Sequence, residues 1–285
     1  MNFDLSFTPT SIGGGGWNHL ANPYPSELDW NSGGFGKTNI AGDAIYIWNP
    51  VIQNYGTYNG SIGTLGVTQY IASGQAFFVK AQDASGDLTA SEQAKSSANG
   101  NSFMRLSNDL IAQVGLRITS DKNHIDETVV TFMPDATDQY DWELDALKFS
   151  AGWVNLASKL DNDKLMAINA MGAPRGVKNV NIDVNPYYYG KYTFTFPEVS
   201  NFEEQSILKL HDNFLNKSVS AIPGAKYDFT VIQNNPSTFH ERFELQLVSP
   251  VKINMEDLEV RAGQEFVVPV TADQFADVLN SCRRP

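Results

Sequence analysis

Most of the residues with which small proteins staple themselves, hold transition metals or cross membranes are scarce in this chain. There is one cysteine, Cys282, so no intrachain disulfide can form and a disulfide-stapled scaffold is excluded. The four histidines, His19, His124, His211 and His240, lack the HExxH or His-x-His spacing that sets two imidazoles on one ion, and zinc is not expected. No apolar run approaches the roughly 18 residues of a membrane span, so direct membrane insertion is not expected. Positive charge is short as well: 20 Lys and Arg stand against 32 Asp and Glu, a net charge of −12. Such a chain repels phosphate backbones, which argues against nucleic acid and against anionic membrane surfaces as partners. Catalytic motifs are missing too. No GxSxG elbow occurs, and the nearest approach to a Walker loop, GGFGKT at 33–38, lacks the first Gly at the required spacing. Paired carboxylates can hydrolyse glycosides, but nothing singles out a pair among 32 acids. A non-enzymatic protein is expected.

Aromatic and apolar residues are plentiful: 17 Phe, 11 Tyr and 5 Trp, within an apolar fraction of 42%, are enough for real cores. A length of 285 residues suits about two domains of ordinary size. The expected fold class is all-β, a small β-rich unit followed by a jelly-roll-like antiparallel β-sandwich. Residues 1–95 form the first unit, rich in Gly, Asn, Ser and aromatics. In IYIWNPVIQNYGTY two aromatic runs flank the turn signal Asn49-Pro50 and predict a β-hairpin. QAFFVK, at 75–80, reads as the buried strand that ends the unit. The small, polar stretch 84–101 reads as a loop or linker. Residues 96–250 form the second unit, a series of about ten strand-like segments from SFMRLSN to RFELQLVS. Tyr192, Phe194 and Phe196 alternate with polar residues, as do Phe243, Leu245 and Leu247, the period of two of half-buried antiparallel strands. A turn of helix fits Asp138–Leu144. Residues 251–285 read as the start of a third, truncated domain. Met1–Thr10 has neither the basic start nor the apolar run of a signal peptide, and the chain is expected to begin inside a longer protein.

Some residues suggest chemistry. The Asn22-Pro23-Tyr24-Pro25 core of GWNHLANPYPSELDW cannot be a helix interior or a central strand, because each proline fixes φ and lacks a backbone donor. A rigid corner is expected there, with Trp17 and Trp30 packed on it and Tyr24 as a possible ligand contact. Trp17 and Trp48 are assigned to the core, since each lies within a strand-like run. Tyr187, Tyr188 and Tyr189 cannot all face the inside of a strand, so at least one is expected to be exposed and to stack on a ligand such as a polysaccharide. Ca²⁺ needs six to eight oxygens, and two acidic loops could supply a structural ion: Asp121, Asn123, Asp126 and Glu127 in SDKNHIDE, and Asp135, Asp138, Asp141 and Asp145 in PDATDQYDWELD. Neither loop matches an EF-hand.

Several phrases then resemble, in order and spacing, a recurring module of very large secreted and surface proteins of Bacteroidota. They are GWNHLANPYPSELDW, IYIWNP and YIASGQAFFVKA, followed by MRLSN, DETVVTF, ATDQYDWELDALKF, LMAIN, GKYTFTF, ILKLHDN, KYDFTV and RFELQL, over residues 12–249. In that family such modules usually precede a sorting domain of the type IX secretion system. No such tail follows here; VRAGQEFVVPVTADQFADVLN resembles instead the opening of a cohesin-like domain. The resemblance implies an extracellular or outer-surface location, flanking domains in the same polypeptide, and a role in adhesion, display or ligand contact with a polysaccharide or surface protein. The alternative reading is a carbohydrate-binding accessory region of a secreted polysaccharide-degrading enzyme.

Overall fold

A computed structural model of the chain describes residues 1–9, 15–96, 111–173 and 176–250, together with the backbone of 252–255 and 270–273. Apart from three short 3₁₀ turns, these residues are strands and loops, as expected of an all-β protein. No helix among them is long and apolar enough to cross a membrane.

The first unit contains β1 (Asn2–Phe3), β2 (Trp17–Ala21), β3 (Leu28–Asp29), β4 (Phe35–Thr38), β5 (Ile45–Asn49), β6 (Asn54–Tyr58), β7 (Tyr70–Ile71), β8 (Ala76–Lys80) and β9 (Asp87–Ala90). They build a sheet in the order β1-β9-β4, a second in the order β2-β8-β5-β6, and the pair β3-β7. Leu28, Trp30, Ile45, Ile71, Phe77, Val79 and Leu88 fill the core between them. The hairpin at 45–58 forms with Ile45 opposite Tyr58 and Asn49 opposite Asn54. Asn49 Oδ1 closes its turn by accepting from the amides of Val51 and Ile52 at 3.0 and 3.4 Å. The Walker-like segment is strand β4, and Lys37 Nζ donates to Trp30 O and Asp43 Oδ2.

The linker expected at 84–101 needs correction. Asp87–Ala90 is the central strand of the first sheet, so QAFFVK does not end the unit. Leu88 and Ala90 point inward between exposed or half-buried Asp87 and Thr89, a period of two hidden by small side chains. Residues 97–101 of that stretch, and the strand expected at SFMRLSN, lie outside the described residues.

The second unit contains β10 (Ala112–Ser120), β11 (Ile125–Phe132), β12 (Ala146–Leu147), β13 (Val154–Lys159), β14 (Leu165–Met171), β15 (Val177–Pro186), β16 (Gly190–Ser200), β17 (Ile207–Asp212), β18 (Lys217–Ser220), β19 (Lys226–Val231) and β20 (Phe243–Val248). These form one hydrogen-bonded sheet, β18-β17-β20-β15-β13-β14-β11-β10-β16-β19, with β12 on the side of β14. Pairing is antiparallel except between β11 and β14. The sheet folds over on itself into a sandwich. Phe243 of β20 meets Phe194 of β16 and Phe229 of β19 at 4.8 and 4.7 Å, although these strands are far apart in the sheet order. Tyr192, Phe194 and Phe196 all face this core, as do Phe243, Leu245 and Leu247, in agreement with their alternation. Pro197 is accommodated in β16 because the register against β10 shifts between Gly115 and Arg117, a bulge where no ladder donor is needed. At 138–144 there is no helix; the amides of Leu144 and Asp145 both donate to Asp141 O, a single turn. Of the expected third domain, an antiparallel ribbon of β21 (Lys252–Met255) and β22 (Val270–Asp273) is described, and the remainder lies outside the described residues.

Candidate functional site

The two units share a seam. In the sheet β2-β8-β5-β6, directly opposed residues point to the same face. Trp17 opposes Lys80, His19 opposes Phe78, Tyr46 opposes Phe78, and Trp48 opposes Tyr55, so one face carries six aromatic rings beside Lys80, Thr57, Ala21 and Ala76. Phe77, Val79 and Ile45 occupy the other face and belong to the first core. Part of the aromatic face is covered by the second unit. Phe149 packs on Trp17 and Tyr55, each at 4.7 Å, and on Phe78 at 5.0 Å, with Ala146 and Ile168 completing the cluster. Polar bonds fasten the same seam. Asn54 Nδ2 donates to Ile125 O and Val154 O at 3.2 and 3.3 Å, Asn59 Nδ2 donates to Leu144 O at 3.0 Å, and the Gly42 amide donates to Trp142 O at 2.6 Å.

Beyond Phe149 the face is open. There His19, Trp48, Pro50, Tyr55, Gln75, Ala76, Phe78 and Ala151 line a groove of about 620 Å³. Trp48, expected in the core, is 39% exposed. The reason is the reach of the neighbouring strand: β8 pairs with β5 only at Tyr46, so the Trp48 end of β5 has β6 alone beside it. Trp17, also assigned to the core, is only half-buried and packs against Tyr46 and Phe149 at the seam, not on the proline corner.

The turn between β5 and β6 also touches a second aromatic surface, through Gln53. Trp153, 36% exposed, stacks on His124 and Tyr188, and Tyr187, 68% exposed, stands edge-on to both Trp153 and Tyr188 at 5.0 Å. Lys122 Nζ lies 3.6 Å from the centre of the Tyr188 ring. Gln53 of the turn accepts from Trp153 Nε1 at 2.7 Å, so the first unit fixes a ring of the second. Tyr189 follows, 52% exposed. The Tyr187–Tyr189 run was legible in the sequence. Trp153, His124 and Gln53 were not, because their partners come from distant segments.

The proline corner is structural. Asn22 is buried, its Nδ2 reaches Ser26 O, Ile71 O and Ala72 O, and its Oδ1 accepts from the Tyr24 amide. Tyr24 packs against the first core with Lys95 Nζ 4.6 Å from its ring centre. Trp30 is fully buried and donates from Nε1 to Asp43 O.

Five of the eight residues considered for Ca²⁺ have side-chain partners in the protein. Asp126 lies inside β11, buried, and pairs with buried Lys148 at 2.6 Å while accepting from the amides of Leu156 and Glu127. Burial pushes its carboxyl up, and Lys148 with the two amides pulls against that. Glu127 pairs with Arg117, and Asp138 with Lys178. Asp141 accepts from the Thr137 amide and hydroxyl, and Asp145 from the amides of Ala170 and Asp141. Burial pushes the Asp145 carboxyl up to about 6 against those two amides. Asp121 and Asn123 stand exposed at the tip of the β10–β11 hairpin, and Asp135 is exposed in its loop. Among the described residues no three of His, Cys, Asp and Glu gather into a set that could hold a metal ion.

Fold and site define an all-β protein of two joined units with aromatic surfaces open at their seam. The chain belongs to a family described as a domain of unknown function (DUF8693), whose model matches residues 8–247. No curated protein and no solved structure matches the chain.

Proposed function

We propose that the chain is a non-enzymatic extracellular module of a large bacterial surface protein, and that it contacts a polysaccharide or a partner surface protein through Trp153, Tyr187 and Tyr188. The observation that carries this reading is the exposure of Tyr187 and Trp153, 68% and 36%, in a cluster held rigid by stacking and by Gln53. Amphipathic rings fixed in place at a surface suit contact with sugar faces or apolar side chains at little entropic cost. The likeness to Bacteroidota surface modules supports the location. The flat ring faces also favour the second reading, an accessory carbohydrate-binding region of a polysaccharide-degrading enzyme.

A glycan array and a polysaccharide panel, each probed with the wild type and with Tyr187→Ala, test the proposal. Tyr187→Ala is expected to weaken binding about tenfold, the effect of about 1.4 kcal/mol, with little change in melting temperature. Binding that ignores both Tyr187→Ala and Trp153→Ala would remove these rings from the contact.

A further inference from the structure

The groove that Pro50 of the 49–54 turn helps to line has a chemistry of its own. Its eight lining residues include no Asp, Glu, Lys or Arg, in a chain of net charge −12. The lining therefore holds no Asp, Glu, Lys or Arg charge to pair with a phosphate, a carboxylate or a metal cation. Its volume of about 620 Å³ lies within the range of about 300–1,000 Å³ usual for small-molecule sites. Trp48 and Tyr55 supply apolar ring surface, Phe78 is packed between His19 at 4.6 Å and Phe149 at 5.0 Å, and polar atoms come from His19 and from Gln75, whose Nε2 already donates to Ala76 O at 2.8 Å. Strand addition by a peptide is poorly served here. The outer edge of β6 is already taken by its own loop, with the Thr64 amide donating to Thr57 O at 2.8 Å and the Thr57 amide to Thr64 Oγ1 at 3.0 Å. What the groove presents is ring faces bordered by hydrogen-bonding side chains. Neutral sugars match that pattern, with C–H faces for stacking and hydroxyls for the polar tips.

We infer that this groove is a subsite for one neutral hexose or pentose unit of a polysaccharide, with Trp48 and Tyr55 as its stacking surface and His19 and Gln75 as hydroxyl partners. The inference rests on the recognition reading above and adds a second contact to it. The turn joins the two: Pro50 lines the groove, while Gln53 holds Trp153 of the exposed cluster.

The test is titration calorimetry of the full chain with neutral cello-, xylo-, manno- and laminari-oligosaccharides of four to six units, and with oligogalacturonate as the anionic probe. Trp48→Ala, Trp48→Phe, His19→Ala and Tyr187→Ala are compared with the wild type, each checked by its melting curve. The groove predicts binding of a neutral probe, about tenfold loss in Trp48→Ala, near-normal binding in Trp48→Phe, and an intermediate loss in His19→Ala. Should Trp48→Ala unfold, the Phe and His19 variants decide the matter. Loss in Tyr187→Ala with none in the groove variants overturns the groove and leaves the exposed cluster as the contact. Loss in the groove variants alone keeps the groove and removes the cluster. Binding of oligogalacturonate only, or of no neutral probe, overturns the groove.

Discussion

One side-chain amide, that of Asn22, supplies the donors that Pro23 and Pro25 cannot. Its Nδ2 lies 2.9, 3.0 and 3.0 Å from the carbonyls of Ser26, Ile71 and Ala72. Asn22→Ala removes a buried donor from Ile71 O, while Ala72 O keeps the Gln75 amide, and is expected to cost about 1–3 kcal/mol, measured as a shift in urea midpoint at constant slope. Asn22→Asp keeps the acceptor but loses the donors, so it should be no better tolerated. Asp145 gives a residue-scale pH effect. Its folded carboxyl titrates near 6, above the unfolded value of about 3.9, so the folded state holds the extra proton between the two. The contribution of this group is therefore full below about pH 4 and is lost as pH rises through about 6. Between pH 7 and pH 5 the wild type should gain stability relative to Asp145→Asn, and a melting-temperature difference independent of pH would refute the burial argument.

Closure of the sandwich depends on a polar latch between elements. Arg242, just before β20, donates to Asp212 at the end of β17 through Nε and a terminal nitrogen, at 3.0 and 2.6 Å. It also donates to Thr238 O, and Tyr227 of β19 donates to Asp212 Oδ2. The guanidinium packs over Phe214, Phe229 and Phe243. Burial opposes the charge on Asp212, but Arg242, Tyr227 and the Leu215 amide hold its carboxyl below the ordinary range. Its stabilising effect is present above about pH 3.9 and lost as pH falls through the lower folded value. Asp212→Ala strands a buried guanidinium and is expected to cost about 3–5 kcal/mol by denaturant titration. Replacing both partners by apolar residues should cost less than either single change. Additive losses would contradict a coupled pair.

At the scale of the molecule the seam decides cooperativity. Gly42 takes φ +68°, and a Cβ there would sit 2.3 Å from Asp145 O. Gly42→Ala thus adds left-handed strain to a collision with the other unit. The wild type should melt as one transition by calorimetry, whereas Gly42→Ala and Gly152→Val, whose side chain would meet Asn54, should split it into two. A single sharp transition in both variants would mean that the seam does not couple the units. The acidic loops give another whole-molecule outcome. Because Asp126, Asp138, Asp141 and Asp145 are held by protein groups, EDTA should leave the melting temperature unchanged; a drop of several degrees would instead show that the folded chain holds an ion.

Local pattern was enough to determine the all-β class, the 45–58 hairpin, the inward faces of β16 and β20, and the structural corner at Asn22. Each depends on period, turn chemistry or proline geometry within a few residues. The exposure of at least one ring in the Tyr187–Tyr189 run was legible for the same reason. Tertiary structure alone decided the rest. Alternation tells which side of a strand a residue takes, but not whether another element covers that side. Trp17 and Trp48 share one face of one sheet, yet Phe149 reaches the first and leaves the second open. Asp126 and Asp145 read as loop acids until Lys148 and the Ala170 amide, far along the chain, took them into the interior.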